Sequence, residues 1–303
     1  MAAIGFIGLG NMGGPMARNL VKAGHDVKGF DLVPAALEAA RAGGIEVVGS
    51  AEDAARGVQA VFTMLPAGPH VRAVYLGPGG GGDGQGGLLA AADSGPLFLD
   101  CSTIDVDSAR AVHAAAEAAG HPMVDAPVSG GVAGAEAGTL TLMVGGSEAA
   151  FMKAEPLLKA VGRKAIHAGG PGNGQVAKVC NNMMLGICML ATSEAFTLGK
   201  TLGLEPKTLF DIASSASGMN WAMMNHHPLP GIVEAAAANR GYKPGFAAAM
   251  MHKDLKLSQA AAASAGVATP LGAEAAQLYT LFVNAGHGDL DYSAIVKLIA
   301  GED

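Results

Sequence analysis

Residues 3–13 read AIGFIGLGNMG, and the fold turns on how that stretch is parsed. Residues 4–7 form a short apolar run of the kind a buried strand shows, and Gly13 opens a segment of helical length over 13–23. Between them Gly8, Gly10 and Gly13 satisfy GxGxxG. Strand, glycine turn and helix in that order make a dinucleotide cradle. Gly8 permits the tight turn, Gly10 lets the backbone approach a pyrophosphate, and Gly13 lets the helix pack closely on the strand, with the helix N-terminus receiving the negative charge. Asn11 and Met12, inside the turn, belong to the same expected cofactor site.

The companion acid is Asp31, at the end of a second strand expected over 26–30. It lies near the ~20-residue spacing of the carboxylate that holds the adenosine ribose hydroxyls. Leu32 follows it rather than Arg, so no guanidinium is offered to a 2′-phosphate and the carboxylate would repel one. NAD is therefore expected over NADP. As a purely structural alternative, Asp31 could cap a turn before Pro34.

Outward from this unit, short apolar runs at 60–64, 97–100 and 122–125 alternate with Ala-rich stretches such as 107–119, the pattern of parallel strands and crossover helices. One more strand is expected at 139–144, toward the far edge of the sheet. Residues 1–172 thus read as an α/β, doubly wound, Rossmann-type domain. Within it, residues 77–87 (GPGGGGDGQGG) cannot bury apolar surface and read as a surface loop; no Lys-Ser/Thr follows to make it a phosphate loop. After Gly172 the texture changes. Residues 175–202 form an almost unbroken helical run, apolar on nearly every face, which predicts a buried helix roughly 40 Å long. Residues 206–215, 246–265 and 270–284 also carry helical periodicity, so 173–303 reads as an all-α domain.

Composition narrows the class of function. Of 303 residues half are hydrophobic but only 5% aromatic, which favours a helical core of Ala, Val, Leu, Ile and Met. A formal charge of -7 offers no general attraction to nucleic acid or to an anionic membrane surface. The cysteines Cys101, Cys180 and Cys188 include no CxxC pair, so neither a disulfide framework nor a cysteine zinc site is expected. Cys180 and Cys188, two helical turns apart, read as packed thiols, and the adjacent His226 and His227 do not share a helical face as a metal site requires. The strand-like opening with no basic or Arg-rich leader before it reads as cytoplasmic.

Three further blocks carry chemistry: DAPVSGG over 125–131, GGPGNGQVAKVCNN over 169–182 and MMHKDLKL over 250–257. In the first, Ser129, Gly130 and Gly131 place a hydroxyl beside two unobstructed backbone N–H groups, a nest suited to a carboxylate. Asp125 reads as structural. In the second, Lys178 lies in an otherwise apolar helical run, where burial favours the neutral amine that alcohol oxidation needs as a proton acceptor. Asn182, at i+4, shares its face and can orient a hydroxyl toward it. The turns after strand ends, Leu65-Pro66 in TMLP and Ser102-Thr103 in DCST, lie where open α/β sheets bind ligands.

With the N-terminal motif, these blocks resemble the β-hydroxyacid dehydrogenases, and within them most closely the 3-hydroxyisobutyrate dehydrogenases. The resemblance runs over essentially the whole chain, including GHGDLDYSAIVKL at 286–298. It implies that Lys178 is the catalytic lysine, that Ser129-Gly130-Gly131 bind the substrate acid, and that Leu65, Pro66, Ser102 and Thr103 contact the dinucleotide. It further implies that Lys253 approaches nicotinamide and substrate, with Asp254 pairing to hold it, and that Trp221 lies near the substrate. The family's active site lies in the cleft between the two domains, and its members are commonly homodimers or homotetramers. The implied reaction is NAD-linked oxidation of the primary alcohol of a short 3-hydroxy acid, 3-hydroxyisobutyrate to methylmalonate semialdehyde or L-serine. Two rivals stand beside it: a tartronate semialdehyde or glyoxylate-type reductase, usually NADP-linked, and a catalytically silent dinucleotide-binding scaffold. Silent relatives lack the lysine and carry added domains, and imine reductases of the same fold typically replace the lysine; Lys178 is present here.

Overall fold

The computed structural model describes residues 1–77, 86–93 and 95–302. The chain divides into two compact units, Met1–Lys178 and Val179–Asp303. The division falls inside a helix rather than between 172 and 173, because the first turns of that helix are hydrogen-bonded into the first unit.

The first unit is one sheet of β1 (Ala3–Ile7), β2 (Asp26–Phe30), β3 (Glu46–Val47), β4 (Ala60–Thr63), β5 (Leu97–Asp100), β6 (Met123–Asp125), β7 (Val128–Ser129), β8 (Leu140–Gly146) and β9 (Gly162–Gly169). Their order is β3-β2-β1-β4-β5-β6-β8-β7, with β9 paired to β8. Pairing is parallel from β3 through β6, antiparallel where β8 meets β6 and β7, and parallel again from β8 to β9. Around the sheet run α1 (Gly13–Lys22), α2 (Pro34–Ala42), α3 (Ala51–Ala55), α4 (Gly68–Leu76), α5 (Gly87–Ala91), α6 (Val106–Ala118), α7 (Gly131–Ala137) and α8 (Glu148–Val161).

Strands β4 and β5 are buried at every position, which is why they read in sequence as continuous apolar runs. Their successive residues feed opposite faces: Phe62 and Leu99 join the cluster of Ile4, Phe6, Met16 and Leu20, while Val61 and Phe98 join Ile7, Val71, Tyr75 and Val112. Phe6 and Phe62 stack at 5.6 Å between ring centroids. Each such buried side chain contributes about 1.5–3 kcal/mol. Phe6, Phe62, Tyr75 and Phe98 thus sit at the centre of the core of this unit.

Three strands are absent from the sequence reading. β3 and β7 span two residues each, too short for any periodicity. β9, GRKAIHAG, carries exposed Arg163 and Lys164, charges that blunt an unpaired edge and disguise a strand. The strand expected at 139–144 runs instead over Leu140–Gly146. Residues 78–85 of the Gly-rich stretch lie outside the described residues, so the surface-loop reading is untouched by the structure; Gly77 and Gly86, at its ends, lie against each other.

The second unit continues α9 (Asn173–Thr201) and adds α10 (Pro206–Ala213), α11 (Trp221–Asn225), α12 (Ala248–Ala265), α13 (Pro270–Phe282) and α14 (Ile295–Ala300). Among its described residues no strand forms; an isolated bridge joins Ala247 to Asp291. Helix α9 is long and apolar enough by length and composition to cross a membrane, but its polar Gln175, Lys178, Asn182, Thr192 and Ser193 are buried in protein, the pattern of a core helix. It is less enclosed than its composition predicts, since Met184 and Leu198 are 58% and 60% exposed. The core of the unit gathers Met189, Leu190, Met251, Leu255, Tyr279, Phe282 and Ile295.

One buried carboxylate organises the irregular part of this unit. Asp291 Oδ2 accepts from the backbone N–H groups of Gly245 (3.0 Å) and Phe246 (3.3 Å). Its Oδ1 accepts from Ser293 N–H and Oγ–H and lies 2.7 Å from His226 Nε2. Burial pushes the Asp291 carboxyl up, but the His226 and Ser293 contacts outweigh it and hold the group below the usual carboxylate range. A carboxyl with a lowered folded-state pKa stabilises above its unfolded value, near pH 3.9, and loses that contribution as pH falls through the folded value. Asp291→Asn should therefore cost about 1–3 kcal/mol at pH 7, and the gap should close below about pH 3.9; urea midpoints measured from pH 7 down to pH 3 check it.

Candidate functional site

The glycine turn follows β1 at the carboxyl edge of the sheet, where β1 is flanked by β2 on one side and β4 on the other. That is a topological switch point, the place where such sheets bind ligands. Its glycines differ in what they exclude. A Cβ on Gly8 would lie 2.2 Å from the Met64 carbonyl oxygen, and φ there is +91°. A Cβ on Gly13 would lie 1.8 Å from the Gly8 carbonyl oxygen. A Cβ on Gly10 would meet nothing within 4 Å, so Gly10 faces open space that the protein itself leaves unfilled. Two glycines serve the fold, and the third leaves room that a ligand could use. The exposed Asn11 and half-buried Met12 complete the turn.

Asp31 joins this turn directly. Its Oδ2 accepts from Leu9 N–H at 2.6 Å and its Oδ1 from Val33 N–H at 2.8 Å. The carboxylate therefore fixes the glycine turn and its own turn together, and each oxygen retains acceptor capacity for a hydroxyl. Both readings of Asp31, turn and ligand, are physically compatible.

At the ends of β4 and β5, the Leu65 and Ser102 turns are tied to each other. Ser102 is fully buried; its Oγ accepts from Leu65 N–H at 2.8 Å and donates to Asp100 Oδ1 at 2.5 Å. Its hydroxyl thus shapes the pair of turns, while half-buried Leu65 and Thr103 and exposed Pro66 form their surface. Asp100 also accepts from Thr63 Oγ–H at 2.8 Å, and Thr63 reaches Tyr75 Oη at 2.9 Å. Burial pushes the Asp100 carboxyl up against the lowering effect of Ser102 and Thr63. These residues fit a dinucleotide: an unfilled approach at Gly10, an anchored carboxylate at Asp31, and two braced turns on the next strands.

The Ser129 segment does not follow β6 directly. Val128–Ser129 forms β7, paired antiparallel with β8, and the chain then turns through Gly130 (φ +139°) and Gly131 (φ +64°) into α7. Only glycine accepts two such residues in succession without strain. Asn19 on α1 donates to the Ala135 carbonyl on α7 at 2.7 Å, so the helix after the glycine turn and the helix after Ser129 are pinned together.

Asp125 is structural, as its residues imply: fully buried, it accepts from Gly172 N–H at 2.9 Å and Gln175 N–H at 2.8 Å, and His113 Nε2 lies 3.0 Å away. It holds the first turn of α9. Lys178 follows in α9, 7% exposed, and Asn182 comes one turn later, 2% exposed. In the second unit, Asn182 Nδ2 donates to Asp254 Oδ2 at 2.5 Å, Asn182 Oδ1 accepts from Asn181 Nδ2 at 3.0 Å, and Asp254 Oδ1 lies 3.3 Å from Lys253 Nζ. The Lys253–Asp254 pair exists, and it also reaches Asn182, which sequence could not reveal. Trp221 is 58% exposed, so it is not a core residue; its ring stacks with His226 at 6.4 Å. Cys180 is exposed rather than packed. The residues missed from sequence, Gln175, Asp100, Thr63 and His113, are buried polar groups, each with a partner on another element.

Residues 3–170 match the model of the NAD-binding domain of 6-phosphogluconate dehydrogenase, and residues 172–299 that of NADP-dependent 3-hydroxyisobutyrate dehydrogenase. An NAD-dependent L-serine dehydrogenase of Pseudomonas aeruginosa is 49% identical over 98% of each chain. A 3-hydroxyisobutyrate dehydrogenase of the same organism is 48% identical over 100% of each. The solved structure of Mycobacterium tuberculosis 3-hydroxyisobutyrate dehydrogenase with L-serine matches with a TM-score of 0.93 and 47% identity, over 99% of each chain. With both halves of its sequence and its whole fold matched in this way, the chain belongs to the 3-hydroxyisobutyrate dehydrogenase family of NAD-binding oxidoreductases.

Proposed function

We propose that this enzyme oxidises the primary alcohol of a short 3-hydroxy acid, with 3-hydroxyisobutyrate and L-serine as its substrates and NAD as its cofactor. The observation that carries this reading is a buried lysine, Lys178, one helical turn before Asn182, whose amide is oriented by Asp254 at 2.5 Å. The relatives named for L-serine and for 3-hydroxyisobutyrate support the substrate class.

Gly8, Gly10, Asn11, Met12, Gly13, Asp31, Leu65, Pro66, Ser102 and Thr103 would hold the dinucleotide. When bound, NAD supplies the hydride acceptor. Ser129, Gly130 and Gly131 hold the substrate carboxylate, with Trp221 and Lys253 as further substrate contacts and Lys253 also serving the cofactor. Asn182 donates an N–H to the substrate hydroxyl oxygen, and Lys178 takes the hydroxyl proton as the carbonyl forms. We read the enzyme as cytoplasmic and homodimeric or homotetrameric.

Lys178→Ala should lower kcat by roughly 10²–10⁴ with NAD affinity retained. Lys178→Arg should not restore it, because a guanidinium keeps the charge but does not give up its proton. An Arg variant with wild-type turnover would remove the lysine from the mechanism. For the acid subsite, 1-propanol should be a very poor substrate beside L-serine, since the carboxylate supplies orientation; comparable rates in the same NADH assay would displace Ser129 from the site.

Asp31 followed by Leu32 predicts kcat/KM for NAD above that for NADP by at least tenfold, about 1.4 kcal/mol. Equal efficiencies would favour the NADP-linked reading that the second family model's description names. Because Asp31 also holds Leu9 N–H, the double variant Asp31→Ser, Leu32→Arg should shift the preference toward NADP while losing affinity for both cofactors.

A further inference from the structure

Gln175 performs no chemistry in the mechanism above, yet it is completely buried and both ends of its amide are engaged. Its Nε2 donates to the Ser102 carbonyl at 2.8 Å and its Oε1 accepts from Ile104 N–H at 3.1 Å. Its backbone N–H donates to Asp125 Oδ2 at 2.8 Å. One residue therefore clasps the turn after β5 with its side chain while its main chain sits in the anchored first turn of α9.

The clasp extends in both directions. Ser102, whose carbonyl Gln175 holds, receives Leu65 N–H on its own hydroxyl at 2.8 Å. Lys178 stands three positions beyond Gln175, almost a full turn along the same rigid rod. The result is a continuous line of short hydrogen bonds and helix from the Leu65 turn through Ser102 and Gln175 to Lys178. A primary amide is the group that can satisfy a carbonyl and an N–H at once. A carboxylate would keep the acceptor and lose the donor, and a thioether of the same length would lose both. If packing were the only requirement, an apolar side chain would fill this buried place with less desolvation.

We propose that Gln175 is a positioning residue that registers the lysine helix against the cofactor-binding turns, so that occupancy of those turns by NAD steadies Lys178. The proposal rests on the roles given above to Lys178 and to the Leu65 and Ser102 turns. A residue that merely holds the fold together would change stability alone. A registering residue changes how α9 responds to the cofactor.

The test uses the full-length enzyme and measures amide hydrogen exchange across residues 172–180 with and without saturating NAD, alongside steady-state kinetics. In the wild type, NAD should slow exchange in this turn at least tenfold. Gln175→Met should abolish that protection and lower kcat at least tenfold, while raising the dissociation constant of NAD and KM for the hydroxy acid each by less than tenfold. Retained protection, or wild-type kcat, overturns the proposal, as does a lower melting temperature with no other change. The exchange measurement needs no turnover, so it separates failure of this proposal from failure of the Lys178 assignment, which Lys178→Ala decides. Should Gln175→Met fail to fold, Gln175→Glu keeps the acceptor for Ile104 and loses only the donor. The titratable groups around position 175 are Asp125, which accepts from its backbone N–H, His113 against the same carboxylate, Asp100 against the Ser102 hydroxyl, and Lys178 three positions on in α9. Protonating it restores the donor to Ser102, so kcat relative to wild type should recover as pH falls from 8 to 5, and no recovery overturns the proposal.

Discussion

A helix that begins inside a protein has N–H groups in its first turn with no partner of their own, and burying them unmet costs about 1–3 kcal/mol each. Helix α9 begins this way, and Asp125 meets the need: its two oxygens accept from Gly172 and Gln175, with His113 against the same carboxylate. The joint admits no extra atoms. A Cβ on Gly145 of β8 would lie 2.4 Å from Asp125 Oδ1, and one on Gly174 would lie 2.5 Å from the Asp125 carbonyl oxygen. Blocks separate in sequence, the Asp of DAPVSGG, the glycines closing β8 and the GNGQ opening of α9, therefore form one piece of structure. The placement of Lys178 depends on it.

The same economy governs the cofactor end. Asp31 braces the glycine turn and, on the proposed function, would also hold a ribose, and Ser102 shapes two turns with one hydroxyl. Residues with double duty make binding and folding hard to separate by mutation. Loss of cofactor affinity at Asp31 would combine a missing hydroxyl contact with a loosened Leu9 N–H. A shape-preserving substitution such as Asp31→Asn, which keeps one acceptor oxygen and removes the charge, separates the two better than a truncation.

How much of this was legible follows from the range of each interaction. Strands Asp26–Phe30 and Leu97–Asp100 stand at their expected bounds, because strands between other strands read as short runs between turn signals. The order of strand, glycine turn and helix around Gly8, Gly10 and Gly13 was legible from their spacing. Edge strand β9 does not read as a strand, since edges carry charge, and β7 is too short to have a period. The polar joints were invisible for another reason: Gln175 lies 71 and 73 residues from its side-chain partners and Asp125 47 and 50 from the N–H groups it accepts. No local pattern encodes a hydrogen bond across such a distance. A buried Gln beside Lys178 offered a weak signal, because an amide in an apolar helical run must find partners somewhere.

The second unit shows how one such contact decides chemistry. An asparagine amide can be flipped, presenting either its oxygen or its nitrogen to a ligand, and the two orientations ask opposite things of a substrate hydroxyl. Asp254 can only accept when ionised, so it takes Nδ2 of Asn182, while Asn181 gives its N–H to Oδ1. The flip is thereby fixed, leaving one N–H of Nδ2 as the donor still to be used. A hydroxyl that receives this N–H on its oxygen retains its own proton to give away, which is the arrangement alcohol oxidation requires when Lys178 is the acceptor. The acid at position 254 thus does more than pair with Lys253 at 3.3 Å. It fixes the orientation of the Asn182 amide, and on the proposed mechanism that amide would steer the direction in which the hydroxyl proton leaves.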